Sequence, residues 1–279
     1  LAAALAANPE FELLNEPFPG ASQVGACLAG SCPALDALVS ARWTELTNRI
    51  RAVAPSLPVW WEPITLSLFT PLQHLVDGAV ASGPEGRQVG LSFHTYCLGT
   101  DGGQPTEPSA GELALCRPTF AAAFDRAEEQ TSTWDAPAML TEFGASASPL
   151  NVTTPARLAD DHLMSWFHWH YPSGAVGEGG GLGTEVVETQ LVRPYAQATA
   201  GEPLAQRYDP ATGDFTFRYR PDRSIAEPTS IAVPGRAYPD GYDAVATGGD
   251  VTSPPDAGRL TVQPAADSTD VVVHVTRRS

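Results

Sequence analysis

Short apolar runs alternate with amphipathic segments up to about residue 195, and this alternation limits the possible folds more than any other feature of the sequence. The apolar runs predict five strands, at residues 11–15, 57–61, 89–95, 138–141 and 165–170. The segments between them predict helices at residues 34–53, 72–81, 118–132 and 155–163. Strands that alternate with helices form a parallel sheet with helical crossovers. This part of the chain is therefore predicted to be α/β.

After Pro194 the pattern changes to short β-rich pieces separated by turns. These pieces lie at residues 215–219, 230–233, 259–262 and 270–276. Such spacing is typical of a small antiparallel β-sandwich. We therefore predict two domains, an α/β domain over residues 1–195 and a C-terminal β-sandwich domain over residues 196–279.

The number of predicted strands is lower than a complete barrel requires. A (β/α)8 TIM barrel has eight strands and takes about 250 residues. The chain starts at Leu1 in an Ala-rich segment that is typical of the end of a helix and stops at Asn8-Pro9. We therefore expect the C-terminal part of a barrel, about strands four to eight, with the first three strands upstream of Leu1. The alternative is a complete, open five-stranded sheet.

The charge balance limits the partners of this chain. It has 16 Lys and Arg against 32 Asp and Glu, which gives a formal net charge of −16. Nucleic acid needs a basic face for its phosphates, so a nucleic-acid partner is not expected. The negative charge also disfavours electrostatic docking to anionic lipid. With 43% hydrophobic and 17% charged residues, the chain can bury a core and is not disordered.

The four cysteines suggest a cellular compartment. Cys27 and Cys32 bracket one short loop, and Cys97 and Cys116 bracket another, so each pair would close a local loop if oxidised. Four free thiols are the alternative, and neither spacing is the CxxC of a zinc site. Because disulfides persist in oxidising compartments, we expect a secreted protein.

Glutamates stand at the ends of three predicted strands. Glu16 follows the first strand, Glu62 ends the second and Glu142 ends the fourth. In a barrel, the carboxyl ends of the strands form the active site. Two carboxylates about 5 to 5.5 Å apart can serve as proton donor and nucleophile for glycoside hydrolysis. Each glutamate alone could equally be a solvated or helix-capping residue, and from position alone all three compete for the two roles.

Aromatic and imidazole side chains accompany these glutamates. His94 and Tyr96 are two residues apart and so share one face of the third strand, where a Tyr hydroxyl could keep a nucleophile ionised. Both could instead be polar residues that face solvent. Trp169 offers a platform for a sugar ring, whereas Trp166 and Phe167 are expected in the barrel core. Several aspartates are expected to be surface charges or caps: Asp101, Asp135, Asp160 and Asp161.

These motifs occur in the order seen in glycoside hydrolase family 5, the clan A cellulase-like barrels. The closer resemblance is to the endoglycoceramidases of that family. It rests on four ordered segments, at residues 11–17, 91–97, 140–144 and 166–169, and continues through residues 191–198 into the C-terminal β-rich part. The Asn-Glu-Pro tripeptide alone would be weak evidence.

The resemblance implies a role for each matching residue. Glu16 would be the general acid/base and Glu142 the nucleophile of a retaining mechanism. The substrate would be held by Asn15 at the hydroxyl next to the anomeric carbon, by His94, and by Trp169 as the floor of the sugar site. Tyr96 would hydrogen-bond Glu142, and Glu62 matches a non-catalytic position. No metal and no cofactor are implied.

The implied substrate is a glycosphingolipid, cleaved at the β-linkage between glycan and ceramide. The apolar run at residues 60–69 could form a surface for the lipid or could be ordinary core. We expect at most peripheral contact with a membrane or micelle, and a monomer when the protein is full length. Family members also carry an Arg and a His on earlier strands, so residues 1–279 alone are expected to be inactive.

Two alternatives to this function remain open at this point. One is a family 5 β-glycosidase that acts on another aglycone or on an oligosaccharide, such as a steryl glycoside or a β-glucan. The other is a carbohydrate- or lipid-binding module without catalysis. The presence of both Glu16 and Glu142 argues against the second.

Overall fold

The computed structural model describes residues 11–28, 33–64, 88–97, 110–144, 149–169 and 185–278. The predicted helix at residues 72–81 lies outside these ranges, as do Cys32 and Asp101. The chain separates into two compact units, one of residues 1–158 with 164–182 and one of residues 159–163 with 183–279. Among the described residues, no helix combines the length and the apolar character needed to cross a membrane.

The first unit contains a parallel sheet whose five strands follow the order of the chain. The strands are β1 (Phe11–Glu12), β2 (Val59–Trp61), β3 (Val89–Thr95), β4 (Ala138–Phe143) and β5 (Ser165–Trp166). The helices in this part of the chain are α1 (Val24–Leu28), α2 (Pro33–Arg51), α3 (Ala110–Trp134) and α4 (Pro149–Asp161). The predicted alternation and parallel pairing are therefore confirmed.

Two helix starts were predicted too late, and in both cases at a proline. α3 begins at Ala110 rather than at Pro118, and α4 begins at Pro149 rather than at Pro155. Proline favours the first turn of a helix, which is why both positions were interpreted as starts. Residues 110–117 consist mainly of Ala, Leu and other good helix formers, so the helix continues upstream of Pro118.

The core of the first unit is rich in aromatic side chains. β3 is buried along its whole length, as expected for a strand covered on both faces. Trp61 packs edge-to-face against Trp134 of α3, with ring centroids 5.7 Å apart. Phe93 of β3 packs in the same way against Phe124, at 5.2 Å. These contacts fix α3 against the sheet.

The apolar run at residues 60–69 is partly core where the structure describes it. Trp61 and Ile64 are buried, and Trp60 is half-buried. Trp61 and Ile64 therefore contribute to the core and do not form an exposed surface for lipid, and residues 65–69 lie outside the described residues.

The predicted disulfide between Cys97 and Cys116 is confirmed. It joins the segment after β3 to α3, and both cysteines pack against Phe120 in a small buried cluster. Cys27 is also disulfide-bonded.

The second unit contains two four-stranded antiparallel sheets. The elements are α5 (Glu185–Leu191), β6 (Tyr195–Ala198), β7 (Gly201–Asp209), β8 (Asp214–Pro221), β9 (Thr229–Ala232), β10 (Tyr242–Thr247), β11 (Gly249–Val251), β12 (Arg259–Pro264) and β13 (Val271–Arg277). One sheet has the strand order β10-β13-β8-β7 and the other β11-β12-β9-β6. One hydrophobic cluster contains buried residues of both sheets, which is typical of a β-sandwich. β6, β7, β10 and β11 were not predicted because few of their side chains are buried.

Asp160 is buried, so its prediction as a surface charge or cap is wrong. Its carboxylate pairs with the Arg193 guanidinium and accepts a hydrogen bond from Gln206 Nε2 at 2.9 Å. Burial raises the pKa of Asp160 to about 6, although the charge of Arg193 opposes the rise. Asp160 lies four residues after the buried Ala156, and therefore on the same helix face. All of its polar partners named here belong to the second unit.

Candidate active site

Glu16 and Glu142, the predicted catalytic pair, come together at the carboxyl end of the parallel sheet. Glu142 lies in β4, and Glu16 follows β1. One carboxylate oxygen of each glutamate and one ring nitrogen of His94 all lie within 4.8 Å of one another. β1 and β4 are not neighbours in the sheet, since β2 and β3 lie between them. The convergence of their side chains is expected of a sheet that curves as the wall of a barrel does.

His94 connects three glutamates. Its Nδ1 lies 3.0 Å from Glu16 Oε1, 3.4 Å from Glu142 Oε2 and 3.4 Å from Glu62 Oε1. The side chain is fully buried. The register between β3 and β4 shifts between Phe93 and His94, and such irregularities often re-aim a side chain beside an active site. The sequence spacing alone could not have predicted this shift.

Tyr96 contacts Glu142 directly. Its hydroxyl donates a hydrogen bond of 2.8 Å to Glu142 Oε2. Burial raises the pKa of Glu142, while the charge of His94 and the hydrogen bond from Tyr96 lower it. Tyr96 and His94 therefore favour the ionised form of Glu142, which is the form that a nucleophile requires.

Glu62 lies beneath this pair. Its side chain has no exposed surface, and its Oε2 accepts a hydrogen bond of 2.6 Å from the main-chain nitrogen of Glu16. Burial raises the pKa of Glu62 to about 9, and the charges of nearby glutamates add to the rise. A carboxyl group with this pKa is protonated at neutral pH and cannot serve as a carboxylate nucleophile. Its burial also separates it from any substrate.

Trp169 and Asn15 lie next to the segments that carry the two glutamates. Asn15 is exposed next to Glu16, and Trp169 is 49% exposed. Trp169 pairs with Gly144 in a parallel bridge, and its main-chain nitrogen donates to Phe143 oxygen at 2.9 Å. Gly144 has φ +97°, and a Cβ atom there would lie 2.5 Å from His168 Nε2. Glycine therefore lets the Trp169 segment approach the strand that carries Glu142.

The expectation that Phe167 belongs to the core is wrong, because Phe167 is 53% exposed. Side chains alternate between the two faces of a strand. Trp166 packs edge-to-face on Phe143 with ring centroids 5.4 Å apart, and Phe167 points the other way.

A fourth glutamate of the site, Glu12, was not predicted from the sequence. Ser92 Oγ donates a hydrogen bond of 2.6 Å to Glu12 Oε1. One ligand atom each from Glu12, Glu62 and His94 also lie within 4.8 Å of one another. The sequence does contain a signal for Glu12, because it is a single carboxylate inside an apolar run. A carboxylate is costly to bury without a partner, so its position indicates a polar contact.

Within the part of the chain that the structure describes, two sets of side chains are close enough to hold a metal ion, and both include His94. They are Glu12 with Glu62, and Glu16 with Glu142. Protein donors already bond oxygens of three of these carboxylates: Ser92 bonds Glu12, the Glu16 nitrogen bonds Glu62 and Tyr96 bonds Glu142. We therefore assign no metal to either set.

Two glutamates at the carboxyl ends of strands in a parallel α/β unit are the arrangement that many glycoside hydrolases use. Residues 193–276 match the Glycoside hydrolase family 5 C-terminal domain. The chain is also 36% identical over 267 residues to Endoglycoceramidase I of Rhodococcus hoagii (strain 103S), a match that covers 95% of this chain and 53% of that protein. The chain thus spans about half the length of this curated relative. In sequence the chain is thus similar to an endoglycoceramidase, and over residues 193–276 to the C-terminal domain of glycoside hydrolase family 5, as its motifs suggested.

Solved structures support the same relationship at the level of the fold. Endo-glycoceramidase II from Rhodococcus sp., solved as a lactosyl-enzyme intermediate, matches with a TM-score of 0.77 at 23% identity, over 100% of this chain and 61% of that chain. Its ganglioside GM3 complex matches with a TM-score of 0.76 at 23% identity, over 100% of this chain and 61% of that chain. Cryptococcus neoformans sterylglucosidase 1 matches with a TM-score of 0.62 at 14% identity, over 86% of this chain and 43% of that chain. The predicted fold class is therefore confirmed.

Proposed function

We propose that this chain carries the catalytic glutamates of a retaining β-glycosidase that hydrolyses the linkage between the glycan and the ceramide of glycosphingolipids. The observation that carries the proposal is the convergence of Glu16 and Glu142 on His94, with carboxylate oxygens within 4.8 Å. Retaining enzymes hold their two carboxyl groups about 5 to 5.5 Å apart, whereas inverting enzymes separate them by about 6.5 to 9.5 Å. The short separation favours retention.

The proposed mechanism has two steps. In the first, Glu142 attacks the anomeric carbon while Glu16 protonates the glycosidic oxygen, so the ceramide alcohol leaves and a glycosyl-enzyme ester forms. In the second, Glu16 accepts a proton from water, which attacks the anomeric carbon and releases Glu142. The hydrogen bond from Tyr96 supports Glu142 as the nucleophile, since it stabilises the carboxylate.

The remaining predicted residues have supporting roles in this proposal. Asn15 binds the hydroxyl next to the anomeric carbon, and Trp169 stacks under the sugar ring. The exposure of both side chains is compatible with these contacts. His94 is buried and contacts both catalytic glutamates, so it would orient them and hold their charges apart.

The proposal that the substrate carries a lipid is based on similar proteins. One is named an endoglycoceramidase, and a solved neighbour is described in complex with ganglioside GM3. Because another similar structure is a sterylglucosidase, a steryl glycoside is the second candidate substrate. The disulfide between Cys97 and Cys116 supports secretion. We expect the protein to contact membrane or micelle peripherally, to be a monomer and to have no nucleic-acid partner.

The test uses the complete gene product, because this chain spans about half of its curated relative. The protein is incubated with a monosialoganglioside in detergent, and the products are followed by mass spectrometry, with Glu142→Gln as the control. Release of intact glycan and free ceramide, lost in the variant, is expected. Hydrolysis of a steryl or aryl β-glycoside without ganglioside cleavage would move the proposal to another aglycone. Binding without any turnover would favour the non-catalytic alternative.

A further inference from the structure

Glu16 has a main-chain conformation that is unfavourable for its residue type. Its φ is 48°, in the left-handed region that non-glycine residues rarely adopt. Pro17 follows it, and a residue before proline normally prefers an extended conformation. Strained residues of this kind persist only when surrounding contacts hold them. The contact that holds Glu16 therefore bears on where its carboxylate points.

Glu62 supplies that contact. Its Oε2 accepts the main-chain N–H of Glu16 at 2.6 Å, and its Oε1 lies 3.4 Å from Nδ1 of His94. The same Nδ1 is 3.0 Å from Glu16 Oε1. Glu62 therefore hydrogen-bonds the main chain of Glu16 directly, and it also lies near His94, which contacts the Glu16 carboxylate.

Glu62 is itself firmly fixed. Its main-chain oxygen accepts a hydrogen bond of 3.0 Å from Trp43 Nε1 on α2. The preceding Trp61 donates from Nε1 to Thr47 Oγ1, also on α2, at 2.9 Å. The segment that carries Glu62 is therefore anchored to a 19-residue helix and not to a mobile loop.

We propose that Glu62 is a positioning residue that holds the acid/base Glu16 in its left-handed conformation through the main-chain hydrogen bond. The inference rests on the proposed function and extends it, because it assigns a task to a glutamate that does not touch substrate. The task needs a hydrogen-bond acceptor of the right shape and does not need a negative charge. Burial raises the pKa of Glu62 to about 9, so the side chain is neutral at working pH and still offers a carbonyl oxygen.

The test compares three variants of the complete gene product. Glu62→Met fills the space without an acceptor, and Glu62→Gln keeps a carbonyl oxygen. Thr131→Val is the matched control, since it removes a buried hydrogen bond of α3, from Thr131 Oγ1 to the main-chain oxygen of Ala127, and contacts neither Glu16 nor the residues that anchor Glu62. Each variant is assayed for kcat/KM on an alkyl β-glycoside, whose departure needs acid assistance, and on a dinitrophenyl β-glycoside, whose departure does not.

A misplaced acid affects only the substrate that needs it. We expect Glu62→Met to lower kcat/KM for the alkyl glycoside by about tenfold or more beyond its effect on the dinitrophenyl glycoside, within the range of general acid catalysis. Glu62→Gln should keep the wild-type ratio of the two rates. Thr131→Val should lower the melting temperature and leave the ratio unchanged. Equal loss on both substrates in Glu62→Met would overturn the proposal, because a purely structural defect acts that way.

A crystal structure of Glu62→Met decides the question without any activity. A φ of Glu16 that leaves the left-handed region supports the proposal, and an unchanged φ overturns it. If the wild-type protein hydrolyses neither of these glycosides nor a ganglioside, the proposed function fails, and the structure of the variant still tests the role of Glu62.

Discussion

The hydroxyl of Tyr96 should set the acidic limit of activity. It donates a hydrogen bond of 2.8 Å to Glu142 Oε2 in a site where burial already raises the pKa of Glu142. A hydrogen bond to a charged group contributes about 1.5 to 3 kcal/mol. Because about 1.4 kcal/mol corresponds to a factor of ten in an equilibrium constant, Tyr96→Phe should raise the pKa of Glu142 and disfavour its ionisation by about 10- to 100-fold.

The assay is the pH dependence of kcat/KM with an aryl β-glycoside. Glu142 acts as a nucleophile only above its pKa, so the acidic limb of the profile should move to higher pH in Tyr96→Phe. At a pH below the acidic limbs of both the wild type and the variant, kcat/KM of the variant should be lower by about 10- to 100-fold. Tyr195→Phe is the matched control, because Tyr195 is an exposed tyrosine of the second unit. An acidic limb at the wild-type position in Tyr96→Phe would refute this account of Glu142.

Three further predictions concern charge and stacking. Arg193→Met should lower the free energy of unfolding by about 3 to 5 kcal/mol, because it leaves the Asp160 carboxylate buried without its cation; adding Asp160→Leu should recover much of the loss in urea titrations. Glu62→Gln should flatten the pH dependence of the free energy of unfolding. The reason is that the raised pKa of Glu62 makes the wild-type protein lose stability as pH rises from about 4.5 towards 9. A wild-type profile without this slope would contradict the presence of a buried neutral carboxyl group. Trp169→Ala should raise KM for glycosides by about tenfold through lost stacking, whereas Phe167→Ala, its equally exposed neighbour, should change KM little.

The sequence predicted best where local pattern and burial agree. β3 was predicted with its observed ends, because Val89, Leu91 and Phe93 recur at every second position, which is the period of a strand. Glu16 and Glu142 could be selected because each ends a strand, and strand ends of a parallel sheet meet at one edge. Their proximity follows from the topology, while their catalytic roles remain predictions.

Contacts between residues that are far apart in the chain could not be predicted from the sequence. The burial of Asp160 depends on Arg193, 33 residues away, and no local pattern announces that pair. The contact between Glu62 and the Glu16 main chain spans 46 residues and depends on how the sheet curves. Position alone left three glutamates in competition, and the burial of Glu62 is what separates it physically from the other two.

The most direct test of the central claim is to trap the glycosyl-enzyme. The complete gene product is treated with an activated fluorosugar, digested and analysed by mass spectrometry, and the anomeric form of the first product is followed by NMR with an ordinary substrate. The account predicts that the sugar is attached to Glu142 and that the product retains the β configuration. Attachment to Glu16 or Glu62, or an inverted product, would contradict it.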